Sequence, residues 1–359
     1  MKTEIRTLTA TAALLLFTAI AQAHFTAGDL AVLRVGDGLT TLGNTAGPIS
    51  LLDLTTAGLV QSTVNLPSGN GGLQISGSAT SEGQLVLNAD GQSFTVAGYV
   101  PPYTGSGSLS SRTSVQAPRG YVTVNFNGTV SAVTTLTGTY SVNNIRSGFV
   151  SGSSAWFAGA NGSGSGVEYY NGTSSLRIEN ANTRVLGVYA GSLYYSTGSG
   201  TQGIYKYSGL PTLATAATPF LTGVAGQGTS PYDFALAPDG NTLYVADNAL
   251  GVQKFTFNGT AWTFDYNFTD SVSTADKAYG LAVDFSGANP VIYWTSPTDI
   301  WKATDIGSGI AGTSILTSGP DYAFRGLDFT PQPAPEPSTL AMIGLGAATL
   351  WGFRRNCKS

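Results

Sequence analysis

Short apolar runs separated by turn residues dominate the chain after its N-terminal segment. The clearest stretch, Tyr232 to Phe268, has the sequence YDFALAPDGNTLYVADNALGVQKFTFNGTAWTFDYNF and divides into four such runs. The third and fourth runs are joined at Asn258-Gly259, a strong two-residue hairpin signal. Because the apolar residues alternate or run over only a few positions, the pattern predicts strands rather than helices. Four antiparallel strands in about 40 residues are typical of one propeller blade.

The same pattern recurs along the chain. Comparable segments of two or more strands begin at Gly83, Arg119, Arg146, Arg184 and Tyr279. Residues 101–118, PPYTGSGSLSSRTSVQAP, are predicted to form an inserted loop. One position in the second strand of each unit marks the repeat, at intervals of about 38 to 62 residues: Val32, Phe94, Trp156, Tyr194, Tyr244 and Tyr293. We therefore predict six blades, and a seventh only if residues 69–97 are divided differently.

The two ends of the repeat region complement each other. GDLAVLRVGDG, PISLLDLTT and LVQSTVNLP supply three strands near the N-terminus and lack a first strand. Near the C-terminus, YAFRGLDFT resembles a first strand and has no strands after it. A strand that joins the N-terminal blade closes the ring and removes open sheet edges. The prediction is an all-β propeller over residues 24–330, closed by its C-terminal strand.

Composition agrees with this fold and excludes some partners. Charged residues make up 10% of the chain, there are 47 glycines, and the hydrophobic fraction of 42% is enough to form a core. Average soluble domains carry about 25% charged residues. The net charge is −4 and the basic residues are scattered. Nucleic-acid binding requires a clustered basic surface, so we predict no nucleic-acid partner.

The N-terminus has the features of a secretory signal peptide. Lys2 and Arg6 precede the apolar run LTATAALLLFTAIAQA, which ends in the small-residue site Ala21-Gln22-Ala23. Residues 1–23 are therefore predicted to be removed, leaving His24 as an exposed first residue. The chain has one histidine and one cysteine, Cys357, so no disulfide is expected in the propeller.

Candidate chemistry in the repeat region is sparse. With a single terminal histidine and no cysteine before Cys357, Ser-His-Asp and Cys-His nucleophile systems are excluded and no catalytic residue is predicted. A divalent cation needs several converging oxygen ligands, and the candidates on or near first strands are Asp233, Asp284 and Asp328. A repeated aspartate more often caps a turn, so no cofactor is predicted, with a divalent metal as the alternative.

Aromatic residues have two interpretations. As structural residues they fill the blade cores, and as functional residues they form platforms for sugar rings. The structural interpretation is preferred for Trp156, Tyr194, Tyr195, Tyr244, Trp262, Tyr293 and Trp294. The segment ALAPDGNTLYVAD resembles the NHL and lactonase-like six-bladed families. That resemblance supports the architecture and assigns no catalytic residue, since fold alone does not give function.

The C-terminal segment differs from everything before it. PQPAPEP, residues 331–337, is a proline-rich spacer, and the uncharged run of residues 338–353 follows it. That run is shorter than the roughly 20 residues of a stable membrane span. Arg354, Arg355 and Lys358 come next, and positive flanks stay in the cytoplasm. Residues 338–359 are therefore predicted to be a short transmembrane helix with a cytoplasmic basic tail.

The order of these residues resembles the PEP-CTERM sorting signal of Gram-negative bacteria. The resemblance covers Pro335-Glu336-Pro337-Ser338-Thr339, the apolar span and Arg354-Arg355. It implies that Pro335, Glu336 and Pro337 are recognised by the membrane protease-transpeptidase exosortase, and that Arg354 and Arg355 orient the tail. It also implies export through the inner membrane, transient membrane insertion of the tail, and a cell-surface or extracellular location after processing.

Two functional hypotheses follow. The first is a non-enzymatic propeller of the cell surface or extracellular matrix that binds a polysaccharide or an envelope protein. Its basis is the sorting signal together with the lack of residues for a Ser-His-Asp or Cys-His nucleophile system. The alternative is a secreted metal-dependent enzyme of the lactonase or lyase type, suggested by the six blades and the first-strand aspartates.

Overall fold

The structure is a computed structural model that describes residues 25–162, 164–270, 277–307 and 310–334. These residues form six antiparallel blades, each with four strands, and contain no helix. The predicted signal peptide and the predicted transmembrane helix lie outside the described residues. Within the described ranges, no helical segment is long and apolar enough to pass through a membrane.

The strands of each blade are given in sheet order, starting with the strand at the centre of the ring. Blade 1 consists of Ala323–Phe329, Leu30–Val35, Ile49–Leu54 and Val60–Asn65. Blade 2 consists of Val86–Leu87, Ser93–Tyr99, Arg119–Asn125 and Thr134–Leu136. Blade 3 consists of Ile145–Ser151, Ser154–Gly159, Val167–Tyr170 and Ser175–Glu179.

The second half of the ring has the same plan. Blade 4 consists of Leu186–Tyr189, Ser192–Thr197, Gly203–Lys206 and Thr218–Thr222. Blade 5 consists of Pro231–Leu236, Thr242–Asp247, Gly251–Phe257 and Trp262–Thr269. Blade 6 consists of Leu281–Asp284, Val291–Thr295, Asp299–Thr304 and Thr313–Thr317.

Two short pairings lie outside this plan. Ala46–Gly47 pairs with Ile75–Ser76 as a separate two-stranded sheet. Ile310–Ala311, from the connection between the last two strands of blade 6, pairs in parallel with the outermost strand of blade 5. The second pairing joins two neighbouring blades at their outer edges.

The ring is closed by the last strand, as the sequence predicts. Ala323–Phe329 pairs antiparallel with Leu30–Val35, so the C-terminal strand supplies the first strand of the N-terminal blade. The first strand of every blade contacts the first strands of both neighbouring blades, which makes the ring continuous. The predicted all-β six-bladed propeller is therefore confirmed for the residues that the structure describes.

The repeat positions are also correct. All six marker residues lie on the second strand of their blade. Residues 101–118 connect the second and third strands of blade 2 and contain no strand. The seven-blade alternative is wrong, because residues 69–97 supply one short strand of the two-stranded sheet and the first strands of blade 2. The structure places no additional blade there.

Close packing at the centre explains two glycines. A Cβ on Gly326 would lie 2.2 Å from the backbone nitrogen of Leu85 in blade 2. A Cβ on Gly280 would lie 2.5 Å from the backbone nitrogen of Leu327 in blade 1. Neighbouring first strands approach so closely at these points that any side chain would push them apart.

Candidate functional site

The first strands enclose a central cavity of about 540 Å³. Residues from all six first strands line it, including Leu87, Asp233 and Asp328. The cavity extends to the turns between first and second strands, where the exposed residues Ala89 and Gly191 border it. Ligand cavities of 300–1,000 Å³ are common in proteins, so the size of this one suits a small molecule.

The opposite end of the ring is crossed by residues 77–83, which we call the cap loop. The hydroxyl of Thr80 lies 3.2 Å from the Tyr232 hydroxyl of blade 5. Arg325 of blade 1 donates from Nη2 to the carbonyl of Gly77 at 2.8 Å. Because the cap loop leads into blade 2 and blade 5 lies opposite it in the ring, the loop must cross the central axis.

Glu82 fixes the cap loop in place. Its side chain is fully buried and accepts hydrogen bonds from the backbone N–H of Ser76 at 2.9 Å and the Tyr99 hydroxyl at 2.7 Å. The side-chain amide of Asn144 donates a third hydrogen bond. Burial raises the pKa of the Glu82 carboxyl, and the three donors oppose that change.

Asp233 and Asp328 perform the same structural task in two different blades. Asp233 accepts from the N–H of Phe234 and, in blade 6, from the N–H of Leu281, at 2.8 and 2.9 Å. Asp328 accepts from the N–H of Phe329 and, in blade 2, from the N–H of Leu87, at 2.8 and 3.2 Å. Each carboxylate therefore links two neighbouring first strands through both of its oxygens.

The electrostatics of these two groups follow from their position. Burial raises the pKa of Asp328 to about 7 and raises the pKa of Asp233 well above its usual value. The third metal candidate, Asp284, does not join them, because it accepts from the N–H of Ser286 in the turn that follows its strand. The described residues contain no group of three or more His, Cys, Asp or Glu side chains arranged to hold a metal ion.

A second concave feature lies on the outside of the ring, between the outermost strands of blades 4 and 5. We call it the aromatic groove, and its volume is about 880 Å³. Its lining side chains include no charged group and comprise aromatic, small and hydroxyl-bearing residues. The aromatic and hydroxyl residues are Phe220, Thr222, Phe257, Thr260, Trp262, Thr263 and Phe264.

Trp262 is the central residue of the groove. Its ring centroid lies 5.3 Å from that of Phe220 and 5.2 Å from that of Phe257, at interplanar angles of 65° and 45°. All three side chains are half-buried. The rings support each other and still present surface to solvent, which suits contact with a flat apolar ligand face.

The structural interpretation of the seven aromatic residues holds for six of them. Trp156, Tyr194, Tyr195, Tyr244, Tyr293 and Trp294 are buried in the blade cores. Trp262 instead lies in the aromatic groove. Its partners Phe220 and Phe257 were not among the aromatic residues singled out from the sequence. A signal was present, since outermost strands have one solvent-facing side and an aromatic residue there is left partly uncovered.

Comparison with known proteins adds information about the C-terminus. Residues 333–356 match the PEP-CTERM protein-sorting motif. The sorting residues Pro335, Glu336, Pro337, Arg354 and Arg355 fall within this match and outside the described residues. Among curated proteins, none matches this sequence.

Several solved structures are similar to this chain at low sequence identity and with TM-scores below 0.5. The nidogen/laminin complex matches at 12% identity and a TM-score of 0.47, over 83% of this chain and 97% of the other. A Bacteroides fragilis protein assigned as a 6-phosphogluconolactonase matches at 12% identity and a TM-score of 0.40, over 84% of this chain and 98% of the other. PorZ, a surface component of the type-IX secretion system of Porphyromonas gingivalis, matches at 12% identity and a TM-score of 0.41, over 73% of this chain and 42% of the other.

The motif match and the fold together describe the organisation of the chain. The propeller strands end at Phe329, and the matched segment begins four residues later at Pro333. The chain is therefore a six-bladed β-propeller followed by a PEP-CTERM sorting motif, which indicates an exported protein processed by an exosortase.

Proposed function

We propose that this protein is a non-enzymatic binding protein of the cell surface or extracellular matrix, and that its aromatic groove binds a neutral polysaccharide. The observation that supports the proposal is the composition of the groove. Half-buried aromatic rings, hydroxyl groups and a volume of about 880 Å³ occur together without a charged side chain.

The chemistry of neutral sugars matches this surface. A pyranose ring has an apolar face of C–H groups that packs against an aromatic ring, and its hydroxyl groups exchange hydrogen bonds with groups such as the Thr260 and Thr263 side chains. A polymer of uronic acids would bring negative charges into a groove that offers no cation, and desolvating them there would be unfavourable. The proposed ligand is therefore a neutral glycan segment rather than an acidic one.

The channel aspartates give less support to the metal-dependent alternative. All four carboxylate oxygens of Asp233 and Asp328 already accept backbone N–H hydrogen bonds. Asp284 lies in a turn at the end of its own strand. A cation would have to displace these bonds or use the second lone pair of each oxygen.

Binding to purified polysaccharides tests the proposal. We expect the exported protein to be retarded in affinity gels by at least one neutral glucan, galactan or mannan and not by polyuronates. Thr263→Arg, which places a long side chain in the groove from an exposed position, should abolish the retardation. Trp262→Ala should do the same through loss of the central ring.

Tyr322→Ala is the matched control, since this half-buried tyrosine lies beside Arg34 in blade 1, away from the groove. It should bind like the wild type. Thermal melts of all variants establish that they are folded. Retention of full binding by folded Thr263→Arg, or binding of polyuronates alone, would reject the aromatic groove as a neutral glycan site.

A further inference from the structure

A layer of side chains beneath the cap loop has no role in the groove or in the sorting motif. Leu186, Phe234 and Leu281 occupy equivalent places, because each pairs with the residue that follows the second-strand marker. The residues two positions before them in the sequence are Arg184, Tyr232 and Tyr279. The corresponding residues of blades 2 and 3 are Gln84 and Arg146. In blade 1 the pairing shifts register at this point, and Arg325 lies in the shifted segment.

The members of this layer, which we call the arginine layer, lie close together around the axis. The Arg184 guanidinium carbon is 4.1 Å from the centroid of the Tyr232 ring, and that ring is perpendicular to the Tyr279 ring at 4.6 Å. Arg325 is buried beneath the cap loop and bonds to the Gly77 carbonyl. The layer thus forms a continuous arrangement of guanidinium groups and aromatic rings.

The three arginines are bonded to carbonyl groups rather than to carboxylates. Arg146 donates to the Thr183 carbonyl at 2.7 Å and Arg184 to the Pro231 carbonyl at 3.0 Å, each in the next blade. Among the residues that the structure describes, none of the three forms an ion pair. Arg325 is buried and the other two are half-buried. Placing cations in such a position without a counter-ion is unfavourable.

Among the described residues, the carboxylates that interact electrostatically with these arginines are Glu82 and Asp247, and both are already engaged. Glu82 accepts the three hydrogen bonds described above. Asp247 accepts from the N–H groups of Ser230 and Ala249, each at 2.9 Å. Three guanidinium groups therefore face two carboxylates, both of which have other donors.

Unpartnered atoms occur in the same layer. The Nε atoms of Arg146 and Arg325 are buried and have no hydrogen-bond partner. Buried donors on charged groups rarely lack partners in native proteins. Two orphaned guanidinium donors in the same layer indicate a missing acceptor.

We propose that the arginine layer binds a small oxyanion, with a carboxylate or phosphate group as the recognised chemistry. Planar guanidinium groups match the oxygens of both groups in a bidentate manner. The anion supplies the missing acceptor and the missing negative charge beneath the cap loop. This site is separate from the aromatic groove, so the two proposals stand or fall independently.

Anion-dependent thermal stability tests this proposal. The exported protein is melted in a Tris–chloride buffer of constant ionic strength while sodium phosphate or sodium acetate replaces sodium chloride. We expect a saturable rise in melting temperature, because a ligand of the folded state stabilises by mass action. A response to phosphate identifies a phosphate site, and a response to acetate identifies a carboxylate site.

Substitutions assign the effect to the layer. In Arg146→Gln the half-saturating concentration should rise about tenfold or more, since a charge-assisted hydrogen bond is lost. Arg146→Lys should retain part of the response. Arg177→Gln removes the same charge from an exposed position in blade 3 and should respond like the wild type.

Two outcomes would overturn the proposal. One is a wild-type melting temperature that does not change with either anion. The other is an equal response in wild type, Arg146→Gln and Arg177→Gln, which would indicate general screening and leave bound water as the partner of the orphaned donors.

Discussion

At the scale of single residues, Asp305 has a cluster of polar contacts between blades 5 and 6. It accepts hydrogen bonds from the hydroxyls of Tyr244 and Tyr266 and forms an ion pair with Lys254 at 2.7 Å. These three partners belong to the second, third and fourth strands of blade 5, whereas Asp305 follows the third strand of blade 6. One carboxylate therefore joins two blades.

Asp305→Asn should lower the free energy of unfolding by about 2–3 kcal/mol, because the amide cannot replace a charged acceptor shared by three donors. Urea denaturation measures the change. Asp265→Asn is the control, since this exposed residue accepts a hydrogen bond from Thr256 within the same sheet and should change stability by less than about 0.5 kcal/mol. Equal effects of the two substitutions would contradict the assigned role.

The raised pKa of Asp328 predicts how the stability of the fold depends on pH. Its pKa is raised from 3.8 to about 7 by burial, so the folded protein holds a proton that the unfolded chain releases between pH 4 and 7. Stability therefore falls as pH rises through this window. The neighbouring Asp233, whose pKa is raised for the same reason, adds to the trend.

Melting temperatures measured from pH 4 to pH 7 test this sign. Asp328→Asn should decline less steeply than the wild type, because it has no proton to lose. Asp284→Asn should follow the wild-type slope, since the pKa of Asp284 is lowered and its titration lies below the window. A wild-type protein that becomes more stable toward pH 7, with no difference in the Asp328 variant, would show that the group stays ionised.

At the scale of strands, the close approach of neighbouring first strands sets a strict limit on side-chain size. Gly326→Ala should destabilise the propeller by about 1–3 kcal/mol, because the added Cβ meets backbone rather than a movable side chain. Denaturant unfolding checks this. Gly69→Ala, with nothing within 4 Å of the added Cβ, should be neutral within about 0.5 kcal/mol.

The second strands were predictable from sequence because both faces of each blade pack against neighbouring blades. These strands therefore carry apolar residues on both sides. Thr242–Asp247, with five of its six residues buried, is the clearest case. Two-residue strands such as Val86–Leu87 and Ala46–Gly47 are too short to have a period. Only the first of these was predicted, because the segment from Gly83 contains two apolar runs separated by a turn.

The candidate sites were harder to predict for a different reason. The arginine layer combines residues that are far apart in the chain, and their proximity depends on the order of blades around the ring. Arg146, Arg184 and Tyr279 mark the beginnings of three repeats in the sequence, yet their common position becomes visible only once the first strands converge. Trp262 has the same apolar pattern as the core aromatics and differs from them only in exposure.

At the scale of the whole molecule, the propeller and the sorting motif are consecutive parts of one chain. Glu336→Ala should leave the propeller folded and prevent removal of the tail, since the glutamate is the charged residue of the Pro-Glu-Pro motif. Cell fractionation and the intact mass of the purified protein measure delivery and processing. Gln332→Ala, just before the matched segment, is the control and should be processed normally.

The strand that closes the ring is also the strand from which the tail departs. A tether at the C-terminus therefore transmits tension into the covalent chain of blade 6 and, through the antiparallel pairing of Ala323–Phe329 with Leu30–Val35, into blade 1. Tension along this strand loads its hydrogen bonds together in shear instead of opening them one at a time. When a bound polymer pulls on the surface-attached propeller, the pairing of these two strands therefore carries the load. Single-molecule extension from the C-terminus should show a higher rupture force than extension from the exposed loop around Leu213.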